Sequence, residues 1–105
     1  MPIRKTFFMT LNPDRESEYK RRHDEIWPEL KTLLKSHGVH NYSISFSQET
    51  HQLFGYAEIE SEEKWANIAN SPICQKWWEF MSDIMSTNED SSPVSVELSE
   101  VFYLE

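Results

Sequence analysis

Apolar and polar positions alternate along residues 3–11, with Phe7, Met9 and Leu11 on one face and Phe8 and Thr10 on the other, the period-two signature of a strand ending at Asn12. Asn12-Pro13 then supplies an N-cap and a first-turn proline, Asp14, Glu16 and Glu18 suit a helix start, and Lys35, His37 and Gly38 suit its stop. A helix over 13–36 follows from these signals. Pro28 removes a backbone donor inside it, which predicts a kink or break near Trp27, with PELKTLLKS as a second segment. Residues 39–46 alternate again, placing His40, Tyr42, Ile44 and Phe46 on one face, and after the polar connection SQETH a further strand over 52–59 completes a hairpin. Ser61 with Glu62 and Glu63 opens a short helix bearing Trp65 and Ile68, and Ser71-Pro72 opens another whose apolar stripe is Ile73, Trp77, Met81 and Ile84. After the polar loop MSTNEDSSP, Val94, Val96 and Leu98 alternate, and the change of phase at Val101 and Tyr103 suggests a bulge.

The element order is strand, helix, strand, strand, helix, strand, the split βαβ arrangement of an α+β ferredoxin-like fold with an antiparallel sheet. That topology covers one sheet face with helices and leaves the other bare. Large apolar residues point both ways from the strands, as with Phe7 beside Phe8 and Leu53 beside Phe54, so a second copy is expected on the open face. The expectation is a homodimer that builds a dimeric α/β-barrel-type assembly.

Length and charge narrow the class. A chain of 105 residues makes one domain over 1–105, burying roughly 60 to 70% of its unfolded surface. With 18 acidic and 10 basic residues the net charge is -8, which repels phosphate backbones and anionic lipid, so neither nucleic acid nor membrane is an expected partner. MPIRKTFF lacks the apolar core of a secretory signal, and no apolar run approaches the ~20 residues of a spanning helix, which points to the cytoplasm. Cys74, the lone cysteine, rules out an internal disulfide and reads as a small buried residue rather than a nucleophile, having no histidine near it in sequence. His37 and His40 form an H-x-x-H pair across a helix end without an acidic third ligand, so capping or surface roles fit them better than a metal site.

Tyr19, His23 and Trp27 fall at i, i+4 and i+8, so on one helix they share a face and set an imidazole between two aromatic rings. Adjacent Trp77 and Trp78 form a second aromatic group. Together they suggest an aromatic-walled pocket with one histidine, for a polar ligand handled by proton transfer. The plainer reading of each remains open: a histidine on an amphipathic helix is often structural, and Trp77 lies on the apolar stripe. Trp78, about a quarter-turn away, is the better ligand wall or interface residue. Trp27 and Trp65 are assigned to packing. Glu79 and Asp83 stand at i and i+4 and could supply a base, but like charges there usually mark a solvated face.

The segments YKRRHDEIWPEL, NYSI, CQKWWEFM and SSPVSVELSEVFYL, in this order and spacing, resemble the L-rhamnose mutarotase family over essentially the whole chain. The resemblance implies a dimeric ferredoxin-like fold and interconversion of the α and β anomers of the sugar. It also implies His23 as the proton donor, and Tyr19, Tyr42, Trp77 and Trp78 as substrate-binding residues. No metal or other cofactor is implied, in keeping with 2 glycines and no glycine-rich phosphate loop. The chemistry suits these residues independently. Anomerisation takes a proton from the anomeric hydroxyl and gives one to the ring oxygen, and histidine titrates in the range where both transfers are feasible. Aromatic rings offer flat surfaces to the C–H faces of a pyranose, and tyrosine hydroxyls hold its oxygens. The alternatives are a mutarotase for another 6-deoxy sugar such as L-fucose, a non-catalytic dimeric ligand-binding module, or, by analogy of fold alone, a haem-degrading or cofactor-free monooxygenase.

Overall fold

The computed structural model describes residues 2–105. Strands β1 (Ile3–Thr10), β2 (Val39–Ser47), β3 (Gln52–Ile59) and β4 (Ser95–Leu98) form one antiparallel sheet in the order β2-β3-β1-β4. Helices α1 (Glu16–Asp24) and α2 (Pro28–Ser36) connect β1 to β2, while α3 (Glu62–Asn67), a 3-10 turn (Ile68–Asn70) and α4 (Pro72–Met81) connect β3 to β4. This is the expected ferredoxin-like split βαβ. Each helical connection is divided in two, and each second helix begins on a proline at its first turn.

The core lies between the helices and one sheet face. Phe7, Met9 and Leu53 pack there with Leu30 of α2 and with Trp77 and Met81 of α4, and Ile84 continues that stripe just beyond the helix. Cys74 is buried on the same side, packed with Val39, Ala57 and Ile59, and its burial pushes the thiol pKa up to about 11, which suits packing and not nucleophilic use. Gly55 is required by this packing: a Cβ there would sit 2.3 Å from Cζ of Phe7, whose ring crosses the strand at that point.

Pro28 ends the long helical pattern outright. The residue before a proline is pushed out of the helical region, and Trp27 adopts φ -60°, ψ 130°, so the chain breaks between Asp24 and Pro28 and restarts. At the other end the first helix is shorter than its sequence signals suggest. Asp14 is left-handed at φ 62° and α1 begins at Glu16, because Asn12 does not cap it. Asn12 instead donates its backbone N–H to the Ile84 carbonyl and its amide to the Asp83 carbonyl, tying β1 to the chain beyond α4. Ser61 behaves as expected, its hydroxyl accepting from the Lys64 N–H.

Two strand expectations are corrected. In β2 the register against β3 shifts between His40 and Ser43, with Asn41 at φ 49°, so the alternation changes phase. Val39, opposite Ile59, is buried in place of His40, whereas Tyr42 turns inward with Ile44 and Phe46. His40 instead faces Glu60, 3.2 Å away, and His37 caps α2 through Nδ1 and the Leu33 carbonyl, so the H-x-x-H pair diverges. After Leu98 the chain leaves the sheet rather than bulging. Glu100 pairs with Arg4, whose guanidinium also covers the Tyr103 ring, while Val101 stands 94% exposed.

Candidate functional site

A broad cavity of about 1670 Å³ opens between the inner sheet face and the helices, and Tyr19, His23, Tyr42, Trp77 and Trp78 all line it. Its size exceeds the ~300 to 1,000 Å³ typical of small-ligand pockets, so a small polar ligand fits with room to turn over. One wall is aromatic and helical. Tyr19 and His23, one turn apart on α1, stack with centroids 4.2 Å apart, and Trp77 from α4 makes a T-shaped contact with His23 at 5.3 Å and 90°. Trp27, expected on the far side of the imidazole, is carried away by the break at Pro28. It packs edge-on against Trp77 at 5.1 Å and tilts over Phe80 at 5.5 Å. Trp77 therefore supplies the second ring beside His23, and Trp27 supports it from behind.

The other wall belongs to the sheet. The β2 bulge turns Tyr42 toward the cavity, where it meets Phe7 at 6.2 Å and Trp65 at 6.1 Å, both edge-on. Trp65, read from sequence as packing, thus lines the cavity as well as the core. Trp77 is buried on the apolar stripe, and Trp78 beside it, also lining the cavity, is only half-buried. Tyr19 is buried and its desolvation raises the hydroxyl pKa, whereas Tyr42 is 37% exposed where it lines the cavity; both hydroxyls are neutral and able to donate as well as accept.

The protonation of His23 follows from its partner. Nδ1 lies 3.0 Å from the Tyr19 carbonyl, which can only accept, so Nδ1 carries the proton and Nε2 of the neutral ring carries the lone pair. Nε2 has no protein partner among the described residues, nor is it sealed away from the cavity. Burial lowers the pKa of His23, outweighing the Tyr19 carbonyl and the Asp24 carboxylate, which act the other way. At neutral pH the ring is accordingly uncharged, with a fixed tautomer and one free nitrogen: a proton acceptor that becomes a donor once loaded.

Of the candidate bases, Asp83 is engaged by the Arg22 guanidinium, which holds its carboxyl below the usual range, and Glu79 is exposed. Arg22 itself is absent from the sequence-level candidates. Its neighbour His23 draws attention first, and nothing in the local pattern of α1 shows that Arg22 reaches Phe80 at the end of α4 and Asp83 just beyond it.

The chain matches the L-rhamnose mutarotase family over residues 4–104. It is 60% identical to the L-rhamnose mutarotase of Tolumonas auensis and 56% identical to that of Escherichia coli K12, in each case over 97% of this chain and 98% of the relative. The crystal structure of an L-rhamnose mutarotase from Formosa agariphila superposes with a TM-score of 0.90 at 48% identity, covering 98% of this chain and 99% of the other. A protein described as dimeric and ferredoxin-like, from an uncultured marine organism, shares the fold at 18% identity and a TM-score of 0.63.

Proposed function

The chain belongs to the L-rhamnose mutarotase family, and from that premise we propose that it is an isomerase interconverting the α and β anomers of L-rhamnopyranose. The observation that carries the mechanism is the His23 ring, stacked on Tyr19, tethered through Nδ1 and free at Nε2 on the wall of an aromatic cavity. Neutral His23 accepts the proton of the anomeric hydroxyl. The C1–O bond to the ring oxygen breaks, its electron pair passes to that oxygen, and the imidazolium donates the same proton to it. His23 is thereby the proton donor to the ring oxygen, and no second acid is needed to balance the step. Rotation about C1–C2 presents the other face of the aldehyde, the hydroxyl adds back, and the proton returns through Nε2 to the new anomeric oxygen. Tyr19 and Tyr42 hold sugar hydroxyls while the faces of Trp77 and Trp78 cover the C–H surfaces.

Saturation transfer between anomeric proton resonances tests this directly across a panel of 6-deoxy and ordinary hexoses. Catalytic amounts of protein should accelerate exchange in L-rhamnose above the others. Preference for L-fucose moves the substrate, and binding without acceleration leaves a ligand-binding module. In the same titrations Trp78→Ala should weaken binding roughly tenfold, and Tyr42→Phe by the ~0.5 to 1.5 kcal/mol of one hydrogen bond, with melting temperatures little changed. Unchanged affinity in Trp78→Ala would assign that ring to packing instead.

The proposed working form is a cytoplasmic homodimer. No helix among the described residues is long and apolar enough to cross a membrane. The sheet face without helices carries Phe8, Phe54, Val96 and Leu98, with Phe8 and Phe54 rings 6.1 Å apart, and Phe102 and Leu104 beyond β4 stand 77% and 80% exposed. A second copy on that face removes this apolar surface from water. Light scattering should report about twice the 12.5 kDa chain mass, and a stable monomer at micromolar concentration rejects the dimer.

A further inference from the structure

Helix α1 carries the proton-transfer histidine, yet among the described residues Tyr19 is its sole buried side chain. A nine-residue helix of sequence ESEYKRRHD is marginal by itself. Its surface pairs Lys20–Asp24, Arg21–Glu18 and Arg21–Glu25 bind the helix region to itself and do not determine where it sits. Arg22 is different. Its side chain is 10% exposed and reaches across to the end of α4, where Nη1 donates to the Phe80 carbonyl at 2.8 Å and to Oδ1 of Asp83 at 2.9 Å, and Nη2 donates to Oδ2 at 3.2 Å. Nε donates to Glu18 at 2.7 Å, which aims the fork, and the guanidinium lies 4.5 Å from the centroid of the Phe80 ring. The Phe80 carbonyl is one of the last in α4, where no further turn offers it a donor and the helix has no basic residue of its own in the last turn. Arg22 supplies that cation from another element.

We propose that Arg22 is a positioning residue for the proton transfer: by clamping α1 onto the C-terminal end of α4, it holds the adjacent His23 against Trp77 with Nε2 at the cavity wall. The consequence follows from how narrow the requirement is. The anomeric and ring oxygens share one carbon, so a single nitrogen serves both only if it is held steady, and a misplacement on the order of 1 Å can cost ~10²-fold in rate. A lysine cannot replace the clamp, because a point charge cannot occupy both carboxylate oxygens and the carbonyl while stacking on a ring. This inference rests on the role given to His23 above.

Arg22→Ala, Arg22→Lys and Asp83→Asn, each with its melting temperature, are to be compared with the native protein in two readouts: kcat and KM for anomer exchange, and an NMR titration of the His23 ring. Arg22→Ala should lower kcat by ~10 to 10² with KM changed by no more than ~threefold. In the same variant the His23 pKa should rise toward its ordinary value as the ring comes away from Trp77. Arg22→Lys should recover only a minor part of the rate, and Asp83→Asn, which keeps an acceptor, should lose less than either. A folded Arg22→Ala protein with an unchanged His23 titration and kcat within ~threefold of native overturns the proposal. So does a loss of rate in which the titration stays native, since that is plain destabilisation. Should Arg22→Ala fail to fold, Arg22→Lys and Asp83→Asn decide by the same readouts. If the native protein itself fails to accelerate exchange, the mutarotase reading falls, and the titration alone judges the clamp.

Discussion

His23→Ala should slow anomer exchange by ~10² to 10⁴, the range a positioned acid or base supplies, with a smaller change in sugar affinity and little loss of fold. The fold survives because His23 is half-buried and, among the described residues, its one side-chain hydrogen bond runs to a carbonyl of its own helix, so its removal leaves no distant partner orphaned. The rate does not survive, because in the proposed mechanism the proton passes through Nε2 in both directions. His23→Asn keeps polarity without basicity and should be equally slow. The pH dependence has a definite sign. Burial lowers the pKa of His23 and the proposed mechanism uses the neutral ring, so the native rate should be level from neutrality upward and fall as pH drops through that lowered value. Folding stability is linked the same way: the unfolded chain takes up a proton near its ordinary value that the folded ring refuses. Stability is thus fully present above that ordinary value and declines as pH falls toward the folded one. A His23→Ala protein with near-native exchange would falsify the assignment.

The strands, the two-part helices and the order of elements along the chain are legible in the sequence because each rests on a local signal: alternation for β1 and β3, Ser61 and Pro72 for the helix starts, Pro28 for the break. What escapes is set by contacts across the chain. Asn12 looks like a cap from its neighbours, but the Ile84 and Asp83 carbonyls draw it to another element. The β2 bulge adds one residue to an otherwise regular alternation, and only the burial of Val39 opposite Ile59 reveals which half is out of phase. The site is legible in part for the same reason. The four-residue spacing brings Tyr19 and His23 together, whereas the ring that meets His23 from the other side comes from α4, and Trp27, named for that place by spacing, lies beyond the break. Arg22 is invisible until the fold brings the Phe80 carbonyl and Asp83 within reach of its side chain.

Trp77→Ala should be the most damaging single change to the fold, and it separates the two adjacent tryptophans. Trp77 is 7% exposed and is held by Trp27 at 5.1 Å, His23 at 5.3 Å and Phe80 at 5.6 Å, so truncation opens a cavity at the junction of both helical connections. Loss of a buried tryptophan costs ~3 to 5 kcal/mol, a large part of the ~5 to 15 kcal/mol that holds a small domain together. The melting temperature should fall on the order of 15 to 25 °C for a chain of this size. The damage also reaches the chemistry, because the ring packed against the imidazole is lost. Water then reaches His23, its pKa rises, and exchange slows even at temperatures where the protein remains folded. Trp77→Phe keeps most of the packing and should recover much of the stability. Trp78→Ala, by contrast, should melt close to the native protein and lose affinity. If Trp77→Ala melts within a few degrees of native, the ring is not a keystone between the helices, and the shielding of His23 has to come from Tyr19 and the sheet wall.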